Sequence, residues 1–118
     1  MCHVLVIEDE WLIADHIGGL AEMAGAKSID YAATEEEAVE AARRSPPAII
    51  LSDVRLAEGT GPKAVETIHK ELGAIPTIFI TGTPEACQPC EHAAAILSKP
   101  VIDHEVIDAF RRHAPLHT

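Results

Sequence analysis

The sequence predicts an α/β fold, a doubly wound parallel sheet with helices on both faces, and three observations carry that prediction. Short apolar runs recur at His3–Ile7 (HVLVI), Ala48–Asp53 (AIILSD) and Thr77–Ile80 (TIFI), and runs of this length without polar alternation suit strands buried on both faces. The stretches between them carry apolar residues at helical spacing, so strand and helix alternate along the whole chain. Each run also ends on a polar group, as expected where parallel strands present their carboxyl ends along one chemically active edge.

Taken in order, the first strand runs into Glu8, Asp9 and Glu10, and Trp11–Ala24 follows as a helix with a stripe of Ile13, Ile17, Leu20 and Ala24 stopped by Gly25. Lys27–Tyr31 is short and mixed, an edge strand. Thr34 with Glu37 forms a capping box that opens the second helix, and Pro46 and Pro47 lead into the central strand ending at Asp53. A glycine-bearing loop, VRLAEGTG, precedes Pro62 at the start of a third helix, which Gly73 closes. After the strand at Thr77–Ile80 and its Thr81, Thr83 and Pro84 would start a fourth helix, which Pro89 makes short or irregular. A weaker fifth strand, Ala95–Leu97, ends on Ser98, Lys99 and Pro100. Asp103 then caps a last helix whose Arg111, Arg112 and His113 suit its negative end, and Pro115–Thr118 forms a loose tail. Right-handed crossovers favour strand order 2-1-3-4-5, the flavodoxin-like (βα)5 arrangement, with Glu8, Asp9 and Asp53 beside the switch point.

The 118 residues suffice for one domain, its core spanning about residues 3–113. A formal net charge of −10, from 19 acidic against 9 basic residues, disfavours nucleic acid or an anionic membrane as direct partner. No stretch is long and apolar enough to span a bilayer and the first residues do not resemble a signal peptide, so a cytoplasmic protein is expected. Three cysteines give no reason to expect a disulfide framework. Cys87 and Cys90 form a CxxC with His92 close behind, but ligands for a structural zinc are lacking, and the pair is read as incidental. The seven histidines are scattered and read as surface residues.

Carboxylates converging on one edge need a counter-charge, and an oxygen-ligated Mg²⁺ is the usual one. Lys99 supplies a fixed positive charge and Thr81 a hydrogen-bond donor, which are the parts needed to stabilise phosphoryl oxygens while the Asp53 carboxylate attacks phosphorus.

An acid pair after strand one, an aspartate after strand three, a hydroxyl after strand four and Lys-Pro after strand five make the chain, from Val4 to about Phe110, resemble the receiver domains of bacterial two-component response regulators. The resemblance implies that Asp53 accepts a phosphoryl group from a histidine kinase or phosphotransfer protein, and that Asp9 and Asp53 bind Mg²⁺ directly with Glu8 acting through water. It further assigns the backbone carbonyl of Arg55 to the metal, Thr81 and Lys99 to the phosphoryl oxygens, and a cis peptide before Pro100. Ile96 replaces the family's aromatic three residues before the lysine, and Ala57 its common proline after the aspartate. DVRLAEGTG and TGTPE are similar to receivers of alphaproteobacterial general-stress and blue-light signalling. The expectation is a stand-alone receiver, monomer or weak dimer, signalling by protein contact and catalysing only its own phosphorylation and dephosphorylation. A Mg²⁺-dependent phosphohydrolase with an aspartyl-phosphate intermediate is the alternative, against which Arg55 stands where such enzymes need an acid. A phosphorylation-independent interaction module is the other.

Overall fold

The computed structural model describes residues 2–88, 90 and 93–116. Five parallel strands form one sheet, β1 (His3–Ile7), β2 (Ser28–Ala32), β3 (Ile49–Ser52), β4 (Thr77–Thr81) and β5 (Ala95–Ser98), in the order β2-β1-β3-β4-β5. Among the described residues four α-helices cover it: α1 (Trp11–Met23), α2 (Glu35–Arg44), α3 (Gly61–Leu72) and α4 (Asp103–His113).

Strand alternation divides the core in two. Val4, Val6, Ile49, Leu51, Ile78 and Ile80 point to the face covered by α1 and α4, where Ile17, Leu20 and Phe110 meet them. Leu5, Ile7, Ile50 and Phe79 point to the other face, against Ala38, Ala42, Ala64 and Ile68 of α2 and α3. Both faces of the central strands are thus apolar, which is why their sequence runs lack alternation.

The start signals of α2 and α3 are obeyed, the second with a shift of one residue. The Thr34 hydroxyl accepts from the Glu37 amide at 3.1 Å, while the Glu37 carboxylate accepts from the Ala33 amide at 2.8 Å. In α3 the cap is Thr60, whose hydroxyl accepts from the Lys63 amide, so Pro62 is the second helical residue. Gly25 and Gly73 end α1 and α3 at positive φ, 123° and 92°.

The helix after β4 is short, as expected: a three-residue 3₁₀ turn, Pro84–Ala86, that follows Thr83; the interruption expected at Pro89 lies outside the described residues. Three expectations are corrected. Cys87 and Cys90 are not incidental but disulfide-bonded, their Cα atoms 5.7 Å apart and within bridging distance; His92 lies outside the described residues. Asp103 does not cap α4 but is its first residue, where it pairs with His16 of α1 at 2.9 Å. Leu116, placed in a loose tail, packs on the α1–α4 core beside Gly25, whereas His117 and Thr118 lie outside the described residues. Among the described residues no helix is long and apolar enough to cross a membrane.

Candidate functional site

The last rungs of the ladder set two acids side by side. Ile7 lies opposite Ser52 in the β1–β3 register, and the Asp53 amide donates to the Ile7 carbonyl at 2.8 Å while the Glu8 amide donates to the Ala32 carbonyl at 2.9 Å. Both side chains leave the sheet at its carboxyl edge yet stay buried, with Glu8 4% and Asp53 9% exposed. Asp9 joins them: one carboxylate oxygen from each of Glu8, Asp9 and Asp53 lies within 4.8 Å of the other two. Three acids of hard oxygen donors so close fit a divalent cation of the Mg²⁺ or Ca²⁺ type by donor chemistry.

The other side of the cluster comes from β4 and β5. Ser98 lies opposite Thr81, and the Lys99 amide continues the ladder by donating to the Thr81 carbonyl at 2.8 Å. The Lys99 ammonium then donates to Glu8 Oε1 at 2.9 Å and to Asp53 Oδ2 at 3.0 Å. The Lys99–Pro100 peptide is cis. Thr81 is buried at the end of β4, its hydroxyl accepting from the Thr83 amide at 3.0 Å. Arg55 has an exposed side chain, and its backbone pairs with Thr60 in an isolated antiparallel bridge, within the loop that follows Asp53. Contact therefore unites Glu8, Asp53 and Lys99, proximity adds Asp9, and Thr81 and Arg55 stand at the neighbouring strand end and loop.

One lysine does not neutralise three carboxylates. Burial pushes the Glu8 carboxyl up to about 7, against the pull of Lys99 and of the Glu10 amide and with a further push from the Asp53 charge. Burial would lower Lys99, but its hydrogen bonds to Glu8 and Asp53 and their charges outweigh that and hold it above its ordinary value.

Several groups that shape the site do not stand out in the sequence. Asp53 Oδ1 accepts from the Val54 amide at 2.7 Å, which with Lys99 fixes both carboxylate oxygens. The Ser52 hydroxyl donates to the Asp53 carbonyl at 2.7 Å, and the Gly61 amide to the Val54 carbonyl at 2.9 Å. Gly61 packs so close that a Cβ there would collide with the Asp53 carbonyl and the Ser52 hydroxyl. Glu35 at the start of α2 accepts from the Thr60 amide at 3.1 Å and donates its own amide to the Glu58 carbonyl at 3.2 Å, closing the loop from the other side. The only available signals for these were a glycine directly before Pro62 and an acid at a helix start.

With the sheet order and this acid–lysine cluster in view, the class of protein is defined: the chain belongs to the response regulator receiver domain family, whose profile matches residues 4–111. The match runs from β1 into α4 and takes in every clustered residue. Among individual proteins the chain is similar to the phyllosphere-induced regulator PhyR of Methylorubrum extorquens, with 44% identity over 84 residues. That alignment takes in 70% of this chain but 31% of PhyR, so the chain spans about a third of that relative. The solution structure of the PhyR receiver domain from Erythrobacter litoralis superposes with a TM-score of 0.85 at 30% identity, covering 99% of this chain and 95% of that one. A variant of the anti-anti-sigma factor PhyR from Bartonella quintana gives 0.75 at 32% identity, covering 93% of this chain and 48% of the other.

Proposed function

We propose that Asp53 is a phosphoacceptor that takes a phosphoryl group from a histidine kinase or phosphotransfer protein with Mg²⁺ in the acid cluster, and that the phosphorylated chain signals in the cytoplasm by protein contact. The observation that carries this reading is the Lys99 ammonium held 3.0 Å from Asp53 Oδ2 and 2.9 Å from Glu8 Oε1. A lysine so placed reaches a phosphoryl oxygen built on Asp53 with little movement. An Asp53 oxygen attacks phosphorus, the bond from phosphorus to the donor nitrogen breaks, and its electron pair leaves with that nitrogen. Asp9, Asp53 and the Arg55 carbonyl would hold Mg²⁺ directly and Glu8 through water, and the ion would supply positive charge for the phosphoryl oxygens. Thr81 donates its hydroxyl proton to one of them. On this reading the chain modifies itself and does not turn over a separate substrate.

The net charge of −10 and the likeness to PhyR, described as an anti-anti-sigma factor in Bartonella quintana, support a protein as downstream partner. Incubation with acetyl phosphate and Mg²⁺ followed by intact mass tests the reading. A persistent phosphoryl adduct supports it, whereas phosphate release without an adduct would indicate a phosphohydrolase, and neither adduct nor release would leave the interaction module.

Trp11, 71% exposed, lines a cavity of about 270 Å³ together with Glu8 and Asp9, so its fluorescence should report Mg²⁺. Asp9→Asn should abolish the change. Because Glu8 keeps its proton up to about pH 7, a cation must displace it below that pH, and Mg²⁺ affinity should rise as pH increases through about 7. A pH-independent titration would remove Glu8 from the metal site.

Lys99→Ala should still accept phosphate but fail to transmit it. Its signature is hydrogen exchange across residues 83–88, which should slow on phosphorylation in the parent and stay unchanged in the variant. Equal slowing in both would place the coupling elsewhere.

A further inference from the structure

Among the described residues, the connection from β4 to β5 is the one crossover without an α-helix, and it is pinned at three points. At its start the Thr83 amide donates to the Thr81 hydroxyl at 3.0 Å, and the bonds continue from the Ala86 amide to the Thr83 carbonyl at 2.9 Å and from the Cys87 amide to the Pro84 carbonyl at 3.1 Å. At its end the Ala93 amide donates to the Cys90 carbonyl at 3.1 Å and the Ala94 amide to the Thr77 carbonyl at 2.8 Å. Between them lies the Cys87–Cys90 bond. That bond ties the half of the connection rooted at Thr81 to the half rooted at the opposite end of β4.

We propose that Cys87–Cys90 is a reversible thiol–disulfide exchange site, opened by a low-molecular-weight thiol or a protein dithiol, whose state biases the loop attached to Thr81. The exchange site stands on the two cysteines alone; its coupling to the loop rests on the phosphoacceptor reading above.

The two cysteines are unequally accessible. Cys87 is buried among the α2–α3 face residues, whereas Cys90 is only partly covered and packs against that cluster from outside. An incoming thiolate therefore attacks the Cys90 sulfur, the Cys90–Cys87 bond breaks, and Cys87 leaves as a thiolate that takes up a proton. A second thiol of the reductant attacks the mixed disulfide and releases Cys90 as a thiol. Two electrons pass from two reductant thiols, which become a disulfide, to the pair on the protein. Cys2, the remaining cysteine, belongs to the opposite core cluster, where burial raises its thiol above the ordinary value, so it neither competes nor pairs.

The direction of the bias follows from the hydrogen bonds. For Thr81 to turn toward a phosphoryl group, the bond from the Thr83 amide must be remade, and the turn from Thr83 to Cys87 must shift with it. A closed Cys87–Cys90 bond resists that shift and a dithiol does not. The reduced form should bind the phosphoryl mimic beryllofluoride with Mg²⁺ about fivefold more tightly, or more, than the oxidised form, read by Trp11 fluorescence. By linkage, saturating beryllofluoride should lower the ratio of disulfide to dithiol by that same factor in a fixed glutathione buffer.

The test uses the whole chain in a graded series of reduced and oxidised glutathione, followed by unfolding, alkylation and intact mass. One adduct, at Cys2, marks the disulfide and three mark the dithiol, and the proposal expects a reversible transition between them. Three adducts throughout, or one adduct throughout, overturn the exchange site. Equal beryllofluoride affinities in the two forms overturn the coupling. Cys90→Ser, which leaves the buried Cys87 in place, should bind beryllofluoride like the reduced form in every buffer, and a variant that still follows the buffer would also overturn it. If beryllofluoride binds neither form, the phosphoacceptor reading fails while the adduct count still decides the exchange site.

Discussion

Asp53→Asn is expected to fold normally and to take up no phosphoryl group. The amide preserves the shape of the carboxylate, and its oxygen can still accept from the Val54 amide, but it has no charge with which to attack phosphorus. Folding should not suffer, because the variant removes one of three converging acids while Lys99 retains its 2.9 Å bond to Glu8. The balance of lost attraction to Lys99 against relieved repulsion makes the change in stability small, neutral to stabilising by about 1 kcal/mol. Acetyl phosphate labelling read by intact mass should fall below detection, and the urea midpoint should stay or rise. An adduct of undiminished yield on the variant would send the nucleophile assignment to another side chain.

What was legible in the sequence was the part written in contiguous residues. A run such as Ala48–Asp53 shows both the buried strand and the acid that the strand delivers, since burial on both faces demands unbroken apolar residues and the first polar residue marks the edge. Glu8, Asp9, Thr81 and Lys99 were visible for the same reason, each standing at or within two residues of the end of such a run. The groups that hold Asp53 in place were not, because they act across the fold. Nothing local marks Glu35 as the partner of the Thr60 amide 25 residues away. The disulfide was hidden differently: a CxxC motif is compatible with paired or free cysteines, and only the distance between them in the fold, 5.7 Å between Cα atoms, decides the pairing. The length of the helical turn before β5, Pro84–Ala86 among the described residues, likewise depended on how far Thr83 and Pro84 could propagate a helix, which capping signals do not specify.

Gly61→Ala should damage both stability and labelling, although alanine is the better helix former. Gly61 opens α3, and a Cβ there would collide with the backbone carbonyl of Asp53 and the Ser52 hydroxyl, which are already bonded to each other at 2.7 Å. A backbone carbonyl at the end of a central strand cannot rotate away as a flexible side chain can, so α3 or the Asp53 peptide must move. Overpacking of this kind costs about 1–3 kcal/mol, against a helix-propensity gain of about 1 kcal/mol at most, and smaller at a first helical position. Net destabilisation is therefore expected, by about 1–2 kcal/mol in urea unfolding. The larger effect should be on chemistry: displacing the Asp53 backbone by about 1 Å turns its carboxylate out of line for attack on phosphorus and should slow labelling by about 100-fold. Gly19→Ala is the control, since a Cβ at that helical position meets nothing within 4 Å and should leave labelling unchanged while adding up to about 1 kcal/mol of stability. If Gly61→Ala labels at the parent rate, the close approach at the head of α3 is not what positions Asp53, and the Val54 and Lys99 contacts suffice by themselves.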